Sequence, residues 1–511
     1  MIRGLSLLII GMFGFAPLFA QRGFLPVNKI DQQVYLSKIY HKNSLIHSSI
    51  KPYRRSELAS LEKKEGDELK ANYWQNREAV IYPISELGIG LDMDAVDRGF
   101  YWGSIGLGLR KEIGARWYVE AQGYKSWQRY PNYLQSKVLN DGVAISQGIA
   151  HANGDPFDLE NFRGQLSFDA NQYVNLSLAY DRNFIGDGYR SLLLSDYANN
   201  YLHSKLSVQV WKMKYVHILA QLKDFSGVSD PAFFNLNNKY ASIHYLSWKI
   251  SKWLNLSFFE SVIWRGQDTL LHRGVDVNYL NPVIFFRPVE YSTGSTDNSI
   301  MAGNASILIP GGFNLYGQIL LDEFLLDEFL SDQQWWANKY AVQAGLRYVD
   351  AFKIKNLSLL AEYNFIRPFT YTHKTSLESY GHYLQPMAHP MGANIKEMLF
   401  QAAYATDKWY FELFLQNATY GRDTGQYAYG GNVFRSYEDR NGTYGHSMAQ
   451  GLRTDLISAG AQASYLILPV SNLRLEFGVW ARSQNDAIQT DRSLQFWVGL
   501  RNNLRNTFRA L

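Results

Sequence analysis

The stretch Asn356–Phe369 reads N-L-S-L-L-A-E-Y-N-F-I-R-P-F. Leu357, Leu359, Ala361, Tyr363 and Phe365 share one parity, and Ser358, Leu360, Glu362, Asn364 and Ile366 share the other. Successive side chains on a strand point to opposite faces, so this is a strand with one continuous apolar face and one mixed face. One such strand decides little. The same alternation returns at 84–93, 100–111, 115–127, 162–170, 174–184, 204–212, 214–223, 240–250, 253–265, 299–309, 312–322, 340–350, 397–406, 408–419, 455–468, 472–482 and 493–503, making roughly eighteen strands with 356–367.

The connections carry as much information as the strands. Short ones fall at Glu112–Gly114, Asn171–Tyr173, Met213, Ser251–Lys252, Pro310–Gly311, Ala351–Lys355, Asp407 and Pro469–Ser471. Long ones fall between them, at 128–161, 185–203, 224–239, 266–298, 323–339, 368–396, 420–454 and 483–492. A transmembrane barrel has tight periplasmic turns and long outer loops, and strands of this length cross a bilayer when tilted. A soluble sandwich has no reason to place every long loop at one end. The expected fold is therefore all-β, a transmembrane antiparallel β-barrel of about 18 strands.

Composition agrees. The 511 residues include 35 Tyr, 29 Phe and 13 Trp, with 19% charged residues. Mean hydropathy is −0.25, which excludes a helical membrane protein. The net charge of +4 is small for this length and points to no nucleic-acid partner. Cysteine is absent, so the chain has no disulfide, thiolate metal site or lipid-bearing Cys. Met1-Ile2-Arg3, the apolar run Leu5–Phe15 and the small residue at Leu18-Phe19-Ala20 read as a signal peptide over 1–20, cut near Ala20–Gln21. Residues 21–83 read as a small, partly helical periplasmic segment. Its helix candidate is Arg55–Trp74, with Ser56 as cap and Gly66 as its weak point. Residues 84–511 form the barrel, and export with this pattern places the chain in the bacterial outer membrane, with lipid as its first partner.

Two hairpins show the faces. Trp409, Phe411, Leu413 and Leu415 are expected outward, with Tyr410, Glu412, Phe414 and Gln416 inward. Leu473, Leu475, Phe477, Val479 and Ala481 are expected outward, with Arg474, Glu476, Trp480 and Arg482 inward. A charge on the lipid face near mid-membrane costs about 2–4 kcal/mol, which keeps charges on one parity. Glu260 breaks the rule, being in phase with Leu254, Leu256 and Phe258. A bulge or a misplaced strand boundary is expected there.

Several loops hold candidate functional residues. The 185–203 loop contains I-G-D-G-Y-R-S-L-L-L-S-D-Y, in which Asp187 and Arg190 are placed to pair. Leu192-Leu193-Leu194 predicts that this loop folds back into the lumen. In the 266–298 loop, Phe285, Phe286 and Tyr291 beside Arg287 and Glu290 suit either stacking on sugar rings or an inward, salt-bridged plug. Asp187, Arg190, Arg287, Glu290 and Tyr291 form the candidate lumen-closing or glycan-facing cluster. The acidic repeat L-L-D-E-F-L-L-D-E-F-L lacks calcium-loop spacing and predicts an amphipathic helical turn over the barrel mouth. His373, His382 and His389, with Glu397 beyond, match no zinc signature, so no metal site is assigned. The Gly- and Tyr-rich 420–454 loop suits carbohydrate or protein contact. No G-x-S-x-G, P-loop or paired-carboxylate signature is present, so neither enzymatic activity nor a cofactor is expected.

Three stretches carry a resemblance. Phe184–Asp196, Asn281–Asn298 and Arg367–Asn394 together resemble the capsule-assembly Wzi-like outer-membrane proteins. The likeness is greatest to the gliding-motility RemB-like branch of Bacteroidetes-type bacteria. The resemblance implies an eighteen-stranded barrel with a periplasmic helical N-terminal part. In the capsule branch it implies a lectin that tethers surface polysaccharide; in the gliding branch it implies a role at the cell surface with other envelope proteins. The chain departs from the usual barrel ending, because Phe508 is followed by Arg-Ala-Leu. The expected function is a non-enzymatic barrel that binds or organises surface polysaccharide or a gliding or adhesion assembly. The alternative is a porin-type channel for small solutes or oligosaccharides.

Overall fold

A computed structural model describes residues 23–41, 44, 46–62, 79–95, 97–151, 156–225, 236–267, 274–281, 297–502 and 505–509. The signal-peptide stretch, the second half of the 55–74 helix candidate, and Arg287, Glu290 and Tyr291 lie outside these residues.

Among the described residues, eighteen antiparallel strands close into a barrel. They are β1 Ala79–Asp92, β2 Gly99–Ile113, β3 Trp117–Arg129, β4 Phe157–Asp169, β5 Val174–Asp181, β6 Tyr201–Val210, β7 Met213–Asp224, β8 Asn237–Lys249, β9 Leu254–Arg265, β10 Asn298–Ile309, β11 Phe313–Glu323, β12 Lys339–Val349, β13 Leu357–Ile366, β14 Ile395–Ala405, β15 Trp409–Arg422, β16 Leu452–Leu468, β17 Leu473–Asp486 and β18 Thr490–Arg501. Each pairs with its neighbour, and β1 pairs with β18 from Glu86↔Arg501 to Asp92↔Gln495, so no edge is left open.

The first strand starts at Ala79, five residues before the expected Ile84. Pro83 hid this start, because proline cannot donate to a ladder. It is tolerated because β18 pairs with β1 only from Glu86 onward, leaving that side of Pro83 unpaired. The expected long connection at 483–492 is a three-residue turn, since β17 and β18 extend to Asp486 and Thr490.

Parity sets the faces. Phe411, Leu413 and Leu415 are exposed on the outside, whereas Tyr410, Glu412, Phe414 and Gln416 are buried inside. Aromatic residues collect at the short-turn rim, where Trp117 stacks near Phe168 at 4.5 Å, Phe313 on Tyr348 at 4.1 Å and Trp409 near Tyr465 at 4.8 Å. Such girdles mark the membrane–water interface. The protein is a bacterial outer-membrane β-barrel, with this rim toward the periplasm.

The N-terminal segment fills the periplasmic mouth. It contains α1 Lys29–Gln33, α2 Leu36–Ile39 and α3 Arg55–Glu62. The helix α3 begins at Arg55, so Ser56 lies inside it rather than capping it. Gln33 Nε2 donates to the Ala403 carbonyl at 3.1 Å and to Ser358 Oγ at 3.0 Å, Arg54 pairs with Asp169 at 2.5 Å, and Lys214 pairs with Glu57 at 2.8 Å. A fourth helix, α4 Asn132–Asp141, sits in the outer loop between β3 and β4.

Glu260 overturns both explanations offered for it. The register of β9 runs unbroken against β8 and β10, with Glu260 opposite His244 and Met301. Glu260 therefore occupies the outward parity, yet it is 1% exposed. The same wall carries Tyr215, which bonds His244 Nδ1 at 2.5 Å, and His217, which bonds Ser242 Oγ at 3.0 Å. Residues 274–281 lie across this wall as a strap. Tyr279 packs on Trp264 at 4.8 Å, Ser242 Oγ donates to the Tyr279 carbonyl at 3.0 Å, and Trp264 Nε1 donates to the Gly274 carbonyl at 3.0 Å. The expectation that the 266–298 loop folds into the lumen is thus corrected for its described part. Tyr240, Val262 and Trp264 give the outer face an apolar platform that receives the strap.

Candidate functional site

The chain itself occupies much of the lumen. The loop between β5 and β6 turns inward, and Leu192, Leu193 and Leu194 have no solvent exposure. Its entry is pinned to the N-terminal segment by a short ribbon, Ile50–Lys51 against Phe184–Ile185. Gly188 is required by close approach: a Cβ there would stand 2.3 Å from Glu362 Oε2 and 2.7 Å from the Arg190 carbonyl.

Two wall carboxylates grip this loop. Glu362 on β13 accepts from the backbone N–H of Tyr189 at 2.8 Å and of Arg190 at 3.1 Å, and from Tyr316 at 2.7 Å. Glu397 on β14 accepts from Arg190 at 3.0 and 3.4 Å, His389 Nε2 at 2.8 Å, Gln416 at 2.7 Å and Asn364 at 3.0 Å. Burial works against the Arg190 charge, but the neighbouring Glu397 outweighs it and raises its pKa above the usual guanidinium value.

Asp187 and Arg190 do not pair with each other. Asp187 accepts from Ser48 Oγ at 2.5 Å, Asn304 at 3.2 Å and Tyr40 at 3.4 Å, while Arg347 donates to its carbonyl at 2.8 Å. The two residues point to different walls because each finds its own wall partner. Asp187 ties the loop to the N-terminal segment and β10; Arg190 ties it to β14. Both are buried, and every hydrogen-bond partner named here is a group of the chain.

The loop between β13 and β14 lies over the leucines. Tyr371 and Tyr380 donate to the carbonyls of Leu192 and Leu193 at 2.8 and 2.7 Å, and Ser195 N donates to the Met387 carbonyl at 2.7 Å. The three loop histidines go to separate partners. His389 meets Glu397, and His373 Nδ1 meets Glu378 at 3.1 Å. His382 accepts from Lys223 N at 2.9 Å and bonds the Asn200 carbonyl at 3.0 Å. Burial lowers His382 to about 3. Glu378 is buried, which opposes its charge, yet hydrogen bonds from His373 and Arg265 hold it at about 2. Among the described residues no group of three or more His, Cys, Asp or Glu is arranged to hold a metal.

The outer mouth carries an aromatic shelf on top of this plug. The loop between β11 and β12 forms the helical turn Leu326–Leu330 and then brings Trp335 and Trp336 over the lumen. Trp336 packs on Tyr437 at 4.7 Å, with the Arg440 guanidinium 4.1 Å from its ring. Phe369 supports Trp336 at 6.0 Å and His446 at 5.2 Å from below, and His373 meets Tyr437 at 5.6 Å. Trp335, Trp336, Tyr437 and Arg440 are half-buried, while Tyr427 and Tyr444 are exposed beside them. Asn394 fixes the loop between β15 and β16 from below, accepting from Ala449 N at 2.7 Å and donating to the Gln450 carbonyl at 3.0 Å. Sequence reading gave the 420–454 loop, which carries Tyr437 and Arg440, as suited to carbohydrate or protein contact, but missed the tandem Trp335-Trp336 that meets it.

The fold and the inward loops define a closed eighteen-stranded outer-membrane barrel with an internal plug. No protein-family model matches the sequence, and no curated protein is recognisably similar to it in sequence. Among solved structures, the chain is similar to Wzi of Escherichia coli, an outer-membrane protein involved in group 1 capsule assembly and a carbohydrate-binding β-barrel. The match has a TM-score of 0.56 at 13% identity and covers 94% of this chain and 99% of Wzi. OprD of Pseudomonas aeruginosa matches with a TM-score of 0.45 at 8% identity, over 83% of this chain and 94% of OprD. These similarities are likenesses of fold.

Proposed function

We propose that this protein is a non-enzymatic barrel that binds or organises cell-surface polysaccharide at its outer mouth. The observation that carries the reading is the shelf of Trp335, Trp336, Tyr437 and Arg440, mounted on the inward loops beneath it. Flat aromatic faces stack on sugar rings, and a guanidinium donates to hydroxyl or carboxylate oxygens. The carbohydrate binding of Wzi, the solved structure of similar fold, supports the same direction. In this reading Asp187 and Arg190 close the lumen and hold the shelf still, and Arg287, Glu290 and Tyr291 are further glycan-facing candidates. Surface attachment of a gliding or adhesion assembly would use the same exposed loops.

The test is the partition of polysaccharide between cells and medium in a strain lacking the gene, with total polysaccharide as control. Normal total polymer, shed into the medium and returned to the surface by the wild-type gene but not by a Trp336→Ala, Tyr437→Ala gene, is the expected result. Unchanged retention in the deletion strain overturns the reading. A porin-type channel is the second reading, favoured by the recesses that flank residues 505–509.

A further inference from the structure

The last strand ends at Arg501 on the periplasmic rim, and residues 505–509 stand inside the lumen. Asn506 donates to the Val27 carbonyl at 3.1 Å and to Asp196 at 2.7 Å, and accepts from Lys29 N at 3.2 Å. Phe508 meets Tyr197 edge-on at 5.1 Å. The Arg509 guanidinium lies 4.1 Å from the Trp497 ring and donates to Gln495 at 2.9 Å. Tyr133 of α4, beneath the outer loop, donates to the Arg509 carbonyl at 2.8 Å. Five residues thus reach from near the periplasmic rim to the underside of an outer loop.

The segment is also a partition. On one side lies a recess against Glu412, Phe414 and Trp480. On the other lies one against Glu86, Phe100 and Trp102. Arg505, Asn506, Thr507, Phe508 and Arg509 line both. A third recess meets them at Arg505 and extends to the periplasmic rim at Pro83 and Asn502. Beside these recesses Leu192, Leu193 and Leu194 are fully buried and Arg190 pairs with Glu397. Here the barrier is a single run of chain, held through the Asn506 and Arg509 side chains and the Arg505 and Arg509 carbonyls.

We propose that residues 505–509 are a tethered, displaceable plug in a lumenal passage along β1–β3 and β15–β18. The passage walls alternate Trp and Phe with Glu and Arg, which suits small hydrated solutes over apolar ones. With the segment in place the passage is divided; with it withdrawn the three recesses become one.

The measurement is ion conductance in planar lipid bilayers bathed in KCl. It compares the full chain, a variant lacking residues 505–511, and a full-length Tyr133→Phe, Asn506→Gly, Phe508→Gly, Arg509→Gly variant that loses the anchors beyond Arg505. Folding is checked for each by heat-modifiable gel migration. The expected result is a closed full chain and loss of the closed state in both variants. A folded deletion variant as silent as the full chain overturns the proposal. If the deletion does not fold, the anchor variant decides: steady openings support the plug, and silence overturns it. A full chain that conducts as freely as the variants also overturns it. None of these outcomes depends on glycan binding, so this proposal and the polysaccharide reading fail separately.

Discussion

Arg190 reaches across the lumen to Glu397, donating at 3.0 and 3.4 Å between side chains that are 3% and 0% exposed. Removing one partner of a buried pair leaves the other charge unpaired, at a cost of about 3–5 kcal/mol, whereas replacing both with apolar groups costs much less. Arg190→Met should therefore lower the unfolding midpoint sharply, and Arg190→Met with Glu397→Leu should recover part of the loss. Urea titration of the wild type and the two variants in detergent measures this. A double variant no more stable than the single would show that Glu397 is held by His389, Gln416 and Asn364 without need of Arg190.

His382 gives a prediction in pH. Burial lowers its folded pKa to about 3, with Lys239 and Lys223 adding to the effect. The unfolded chain titrates near 6.5 and so binds the proton first as pH falls. The stability this neutral imidazole contributes is complete above pH 6.5, declines below it and is gone near pH 3. Glu378 adds a loss at lower pH: its folded pKa of about 2 lies below the unfolded value, so its contribution is present above about 4.5 and is lost toward 2. His382→Gln should cost about 1–2 kcal/mol at neutral pH and flatten the decline between pH 6.5 and 4. An unchanged slope in thermal midpoints across that window would remove His382 from the account.

Why the strands were legible and the site was not follows from range. Parity is a local property, so Trp409–Gln416 declared its inward and outward faces without any partner. Turn chemistry is local too, and it placed the short connections. Glu397 gave no such sign, because its partner Arg190 lies 207 residues away. Leu192–Leu194 marked the inward loop, since three apolar residues in an outer connection need cover. The strap was illegible for the opposite reason. The sequence of the 266–298 connection suited sugar stacking or an inward plug, and only the packing of Tyr279 on Tyr240, Val262 and Trp264 places its described part on the outer wall. Glu260 looked like a register error because the rule for lipid-facing strands assumes lipid, and this wall carries protein instead.

The strap itself can be tested through Tyr279, which is 1% exposed against Trp264 and Tyr240. Truncating a buried aromatic side chain costs about 3–5 kcal/mol. Here the loss falls on the strap, because β7, β8 and β9 keep their ladders. Tyr279→Ala should leave the barrel heat-modifiable while making the 266–297 connection much more open to added protease. Equal cleavage rates in the wild type and the variant would mean that Tyr279 does not hold the strap to the wall.

The shelf makes the last prediction. Trp336 touches Tyr437, Arg440 and Phe369, so its loss removes a stacking face and frees the Arg440 guanidinium from its ring. A central aromatic anchor is worth about 2 kcal/mol or more in a binding site, roughly a thirtyfold loss of affinity. Trp336→Ala should weaken binding of purified barrel to the native surface polysaccharide by that order, with the unfolding midpoint little changed, since the residue lies outside the β-ladders. Trp117→Ala, in the periplasmic girdle, serves as the matched control and should leave binding alone. Glycan-array or surface-immobilised polymer binding reads both. Equal affinity in the two variants would move the glycan site off the shelf, whereas a selective loss at Trp336 would locate it on the shelf that the lumen plug supports.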